Sequence, residues 1–147
     1  MLHLIQDIAD YFFPRLTEDP VRPTIPYERR LGIKRDIFVL HEKENVDAIT
    51  CVSYQSRVPT SESELFELGA ASIAVFYTIW SYRPGAGREL IVDSVKRIQQ
   101  DHPEITRFLT LSPKTEMARK FHLKNGAMIF KENLDTINYE YRLDNIK

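Results

Sequence analysis

Two hydrophobic periods alternate along this chain, and each change of period marks an element. Leu2, Ile5, Ile8 and Phe12 recur at helical spacing, which predicts an amphipathic first helix over residues 2 to 13, stopped by Pro14. From Arg15 to Arg30, Pro20, Pro23 and Pro26 deny a regular element, so an extended loop wrapping the surface is expected, with Arg29-Arg30 as a solvated pair. Asp36 to His41 and Ala48 to Gln55 are β-branched and aromatic around the polar stretch Glu42 to Asp47, the pattern of an antiparallel hairpin. Residues 57 to 69 read as a loop or short helix whose acidic stretch, Glu62 to Glu67, is a solvated face.

Ser72 to Trp80 is the most strand-like run and is expected at the centre of the sheet. Arg88 to Asp101 puts Leu90, Ile91, Val95 and Ile98 on one helical face and ends at His102-Pro103. Ile105 to Leu111 is a strand, Thr115 to Lys124 a short helix stopped at Asn125-Gly126, and Ala127 to Lys131 and Ile137 to Leu143 two further strands. The order α-β-β-β-α-β-α-β-β describes an α/β (α+β) fold. A strand-helix-strand unit over residues 72 to 111 requires a right-handed crossover, hence one parallel pair in a mixed, mostly antiparallel sheet flanked by helices.

Composition narrows the class. A length of 147 residues, 43 % of them hydrophobic, suits a single domain over residues 1 to 147. Twenty basic and 21 acidic residues are well mixed, leaving a net charge of −1 and no basic stripe for a nucleic acid. Cys51 is the one cysteine, so no internal disulfide and no cysteine zinc site can form, which fits a reducing, cytoplasmic setting. Ala70 to Trp80 is too short to cross a bilayer, and Asp7 and Asp10 interrupt the N-terminal apolar residues, so neither a membrane partner nor a secretory signal is expected. His3, His41 and His102 are scattered without acidic partners at ligand spacing, and no metal is expected.

The candidate chemistry lies in three places. Gly85-Ala86-Gly87 sits where a strand gives way to a helix, and glycine there lets the backbone approach a ligand while the first helical N–H groups attract anions such as pyrophosphate. Taken alone, such a pair is more often just a tight strand-to-helix turn. Ser112 leaves a strand and His122 lies on the next helix, so one cleft could bring a hydroxyl and an imidazole together. Each also has a plainer reading: Ser112-Pro113 as a helix cap, His122 as a satisfied histidine on a half-buried helix, and Asn125-Gly126 as a C-cap. Tyr139 and Tyr141 share one side of a strand and are expected to pack in the core, a place at the border of the acyl pocket being the lesser alternative.

The loop resembles the pyrophosphate loop of the GNAT superfamily, with Gly85 and Gly87 on its two small positions. Tyr82 stands where that loop carries Gln or Arg, and Arg83 and Arg88 are the cations that would supply the missing charge. Ala118, Phe121 and Gly126 match the superfamily's later helix, with His122 in place of its tyrosine. Phe76-Tyr77-Thr78-Ile79, Thr110-Leu111-Ser112-Pro113, Phe121-His122-Leu123-Lys124-Asn125-Gly126-Ala127 and Asn138-Tyr139-Glu140-Tyr141 then follow, in order, blocks similar to those of the catalytic domain of malonyl-CoA decarboxylase. That family's separate N-terminal helical domain, and its insertion between the second and third blocks, have no counterpart here.

The resemblance implies a GNAT fold, a coenzyme A thioester (malonyl-CoA or acetyl-CoA) as substrate, and Ser112 and His122 as the catalytic pair. It places coenzyme A on Arg83, Gly85, Ala86, Gly87 and Arg88, with the acyl end beside a splayed strand at Tyr77, Thr78 and Ile79. Decarboxylation of malonyl-CoA to acetyl-CoA is the activity implied. Acetyl transfer to an amine and a non-catalytic coenzyme A-binding module are the alternatives, and the choice between monomer and homodimer stays open.

Overall fold

In the computed structural model, which describes residues 1–145, the central strands are buried on both faces. β2 (Arg35–Glu42), β3 (Asn45–Gln55) and β4 (Ile73–Ser81) form an antiparallel meander. Phe38, Leu40, Val52, Ala74 and Phe76 enter one core, and Ile37, Val39, Ile49, Val75 and Tyr77 enter a second on the other face. This two-sided burial explains why the strands read as almost continuous apolar runs. Helix α1 (Ala86–Asp101) covers the first face with Leu90, Ile91, Val95 and Ile98, as its periodicity predicts.

After α1 the chain enters β5 (Arg107–Thr110), which pairs parallel with β4, Ile73 opposite Arg107 and Phe76 opposite Thr110. β6 (Ser112–Pro113), helix α2 (Glu116–Lys124), β7 (Ala127–Glu132) and β8 (Thr136–Tyr141) complete the set. With Leu2–Ile5 as β1, the eight-stranded sheet runs β1-β2-β3-β4-β5-β8-β6, with β7 paired to β8, so β4 is central as expected. Among the described residues no helix is long and apolar enough to cross a membrane.

The N-terminus departs from the expected helix. Leu2–Ile5 is β1, antiparallel to β2 with Leu2 opposite Leu40 and Ile5 opposite Ile37. The helical spacing also contains an alternation, and the edge of β2 offers a row of backbone partners that an isolated short helix could not match. Asp7 accepts from the Ala9 N–H and Asp10 from the Phe12 N–H, both at 2.9 Å, closing turns in which Ile8 and Tyr11 remain exposed. Pro14 sits in the first turn of a 3-10 helix, Phe13–Glu18, where its missing N–H is harmless, and does not end a helix.

The proline-rich wrap follows the second face. It includes another 3-10 helix, Tyr27–Arg30, and its apolar residues Leu16 and Ile25 enter the second core. Arg29 is exposed, 4.3 Å from the Phe66 ring centroid, but Arg30 is not the solvated partner expected of it. Arg30 is fully buried, 2.7 Å from Asp19, and donates to the carbonyls of Arg22 (2.7 Å) and Ile25 (3.0 Å). Residues 62 to 66 form a short 3-10 helix that buries Leu65 and leaves its glutamates outward.

Candidate active site

The β4–β5 ladder ends at Phe76 and Thr110, followed by one bond from the Leu111 N–H to the Phe76 carbonyl at 3.2 Å. Opposite β3, the register slips between Cys51 and Val52, so Tyr77 is an extra residue on β4. This bulge turns both Tyr77 and Thr78 toward the wrap, where Thr78 Oγ1 donates to Asp19 at 2.8 Å. Beyond it β4 and β5 diverge. The splay opens a cleft of about 300 Å³ between Phe76–Ser81, Leu111–Pro113 and the α2 residues Met117, Ala118, Phe121 and His122, walled on one side by Pro20 and Val21. None of the lining residues is an aspartate, glutamate, lysine or arginine.

Ser112 and His122 meet there. Ser112 Oγ lies 3.2 Å from His122 Nε2 and donates to Thr110 Oγ1 at 2.8 Å, while His122 Nδ1 is 2.6 Å from the Tyr141 hydroxyl. Thr115 caps α2 by accepting from the Ala118 N–H, so the plainer reading of Ser112 as the cap does not hold and its hydroxyl is left for the histidine. His122 stacks on Tyr139 with centroids 4.9 Å apart, which fixes the plane of its ring. All four groups of the chain Tyr141–His122–Ser112–Thr110 are buried.

Desolvation lowers the pKa of His122 to about 4. The imidazole is therefore neutral at pH 7, unlike an ordinary histidine that holds a proton near neutrality. Desolvation also raises the Tyr141 pKa, keeping the phenol protonated and available as a donor. In the neutral state the bonds are consistent as a single run: Tyr141 O–H to Nδ1, Nε2–H to Ser112 Oγ, and Ser112 O–H to Thr110 Oγ1. The reverse tautomer makes Ser112 the donor to Nε2, so the run can carry a proton in either direction.

The glycine loop divides the expected coenzyme A residues. Gly85 is the N-cap of α1 with φ +81, a conformation glycine adopts without strain, and the space beside its Cα is open. Gly87 lines the cleft for another reason, since a Cβ there would stand 2.7 Å from the Phe121 ring. Ala86 is packed in the core beneath the loop. Arg83 bridges Asp47 (3.2 Å) and Glu89 (2.8 Å), and Arg88 donates to the Asn125 carbonyl at 2.9 Å. Tyr82 is held by Glu18 and by the Trp80 indole N–H, and so braces the wrap. Tyr77, Thr78, Ile79, Gly87, Ser112 and His122 thus share the cleft, whereas Arg83, Gly85, Ala86 and Arg88 lie outside it.

Asp19 and Arg22 are the residues at this site that sequence reasoning missed. Their partners at the cleft, Tyr77, Thr78 and Leu111, lie 55 to 89 positions away, and no local periodicity encodes such contacts. The one usable signal was Asp19-Pro20, a turn opener whose carboxylate accepts from the N–H groups of Val21 (2.7 Å) and Arg22 (3.1 Å).

No protein-family model and no curated protein matches the sequence. Among solved structures, malonyl-CoA decarboxylase from Agrobacterium vitis superposes with a TM-score of 0.80 at 17 % identity, over 99 % of this chain and 61 % of that one. This chain therefore spans less than two thirds of that protein. A protein from Desulfovibrio desulfuricans assigned to the GNAT acetyltransferase family matches with a TM-score of 0.62 at 12 % identity, over 100 % of both chains. The PaiA N-acetyltransferase of Thermoplasma acidophilum, in complex with coenzyme A, matches with 0.55 at 10 % identity, over 74 % of this chain and 61 % of its own. The mixed sheet, its splayed central strands and these superpositions give the chain a GNAT-like fold, close in shape to that of malonyl-CoA decarboxylase.

Proposed function

We propose that this cleft takes a malonyl thioester of coenzyme A and releases carbon dioxide, leaving the acetyl thioester. The observation that carries the reading is the buried contact of Ser112 with a neutral His122 in a cleft whose lining has no charged side chain. Decarboxylation breaks the bond from the α-carbon to the carboxylate and moves the electron pair to the thioester oxygen as an enolate. Donors aimed at that oxygen act most strongly where water is excluded, and the N–H groups of the bulge at Tyr77, Thr78 and Ile79 are the candidates.

The α-carbon then takes the proton of Ser112 Oγ, and the serine is resupplied by His122 Nε2–H, with Tyr141 supporting the imidazole. The charge left on the pair is neutralised by a proton from solvent as product leaves, and no acyl-serine forms. An apolar lining disfavours the carboxylate more than the neutral carbon dioxide it becomes. The same lining offers no carboxylate to an ammonium acceptor, which weighs against acetyl transfer to an amine. The phosphates of coenzyme A would lie toward the N-terminus of α1 at Gly85, within reach of Arg83 and Arg88.

Incubation with malonyl-CoA in the absence of any amine, followed by mass spectrometry, tests the reading. Acetyl-CoA formed by the intact protein and not by His122→Ala is expected. Consumption of acetyl-CoA only when an amine is added would instead assign acetyl transfer, with the neutral His122 as its base.

A further inference from the structure

We infer that Arg22 is a positioning residue that sets the width of the β4–β5 splay and thereby the place of the acyl group, an inference that rests on the proposed thioester site. Its guanidinium spans the two diverging strands, Nε donating to the Tyr77 carbonyl at 3.3 Å and Nη2 to the Leu111 carbonyl at 2.9 Å. Those two carbonyls belong to the bulge and to the residue before Ser112. A planar fork with two donors can hold two strands at a fixed separation after their own ladder has ended; a point charge on a flexible stem cannot.

The fork is itself held rigidly. Asp19 accepts from the Arg22 N–H at 3.1 Å and Arg30 donates to the Arg22 carbonyl at 2.7 Å, the two forming a fully desolvated ion pair, and Asp19 also accepts from the Thr78 hydroxyl. The outer nitrogen Nη1 lies 3.5 Å from Glu62. Every polar group of Arg22 is thus assigned to a partner that belongs to the wrap, to its cover, or to the two lips of the cleft. Neighbouring Pro20 and Val21 form a cleft wall, so a shift of Arg22 also moves that wall.

Arg22→Met and Arg22→Lys test the inference by calorimetric titration with acetyl-CoA and with free coenzyme A. Both variants are expected to bind free coenzyme A within about threefold of the intact protein and acetyl-CoA at least tenfold more weakly, because only the acyl end reaches the splay. Where malonyl-CoA is turned over, kcat falls about 10²-fold, the scale of a misplaced reacting group. An Arg22→Lys variant with unchanged acetyl-CoA affinity, or equal weakening for both ligands, would overturn the inference. Absence of malonyl-CoA turnover in the intact protein bears only on the function, since the ratio of the two affinities is read without chemistry.

Discussion

At His122 two demands oppose each other: the ring must be buried to meet Ser112, and burial removes the charge a histidine usually carries near neutrality. The structure resolves this with a neutral ring held between Tyr141 and Ser112. In the unfolded chain the imidazole returns to a pKa of about 6.5. Between that value and about 4 the unfolded state binds the extra proton, so the contribution of His122 to stability is complete above the unfolded value. It is lost as pH falls through the folded one, about 3 kcal/mol in all. Urea unfolding at pH 7.5 and pH 4.5 should show a larger loss for the intact protein than for His122→Gln. The rate should likewise show no inflection near pH 6.5 that depends on His122. Tyr141→Phe removes the partner of Nδ1, and a fall in kcat of about 10²-fold with little change in coenzyme A affinity is expected from steady-state kinetics and titration. The serine–histidine pair was legible from the sequence because a four-block resemblance pointed to it. The depressed pKa was not, since it depends on Tyr139, Phe121 and Tyr141 packing around the ring.

Among the elements, α1 and α2 are coupled at one point that the sequence disguised. Gly87 reads as a residue that lets backbone approach a phosphate, but the structure gives its missing side chain to the Phe121 ring. Gly87→Ala should push Phe121, and with it His122, away from Ser112, at a cost of about 1–3 kcal/mol. Thermal unfolding and turnover should both suffer, and adding Phe121→Leu should restore the first. The hairpin, the parallel pair β4–β5 and both helices were legible because each has one dominant period and a clear stop, such as His102-Pro103 or Asn125-Gly126. Gly126, at φ +100 just past α2, shows the stop working as predicted. β1 was not legible, because Leu2, Ile5, Ile8 and Phe12 fit a helix while Leu2 and Leu4 alternate as in a strand, and the choice is made by the free edge of β2. β6 has only two residues, too few for any period to register.

For the molecule as a whole, the wrap over residues 15 to 30 is where sequence reading stopped and tertiary structure decides. Prolines predicted an extended loop without regular elements; the path instead contains two short 3-10 helices, Phe13–Glu18 and Tyr27–Arg30, and its centre is a buried ion pair locked to β4 through Thr78. Arg30→Met leaves Asp19 buried without its cation, and a loss of about 3–5 kcal/mol in chemical denaturation is expected; adding Asp19→Leu should not restore it, because the N–H groups of Val21 and Arg22 and the Thr78 hydroxyl then lose their acceptor. This lock, Arg22 between the strands and the Ser112–His122 pair together make one site from segments more than 100 positions apart. We propose that this site delivers a proton to a carbanion formed by loss of carbon dioxide. Its most direct test is turnover of malonyl-CoA in deuterium oxide, read by mass spectrometry of the acetyl-CoA formed. Acetyl-CoA carrying one solvent deuterium in its methyl group is expected from the intact protein and none from Ser112→Ala or His122→Ala. Intact protein that binds malonyl-CoA and leaves it unchanged would contradict it.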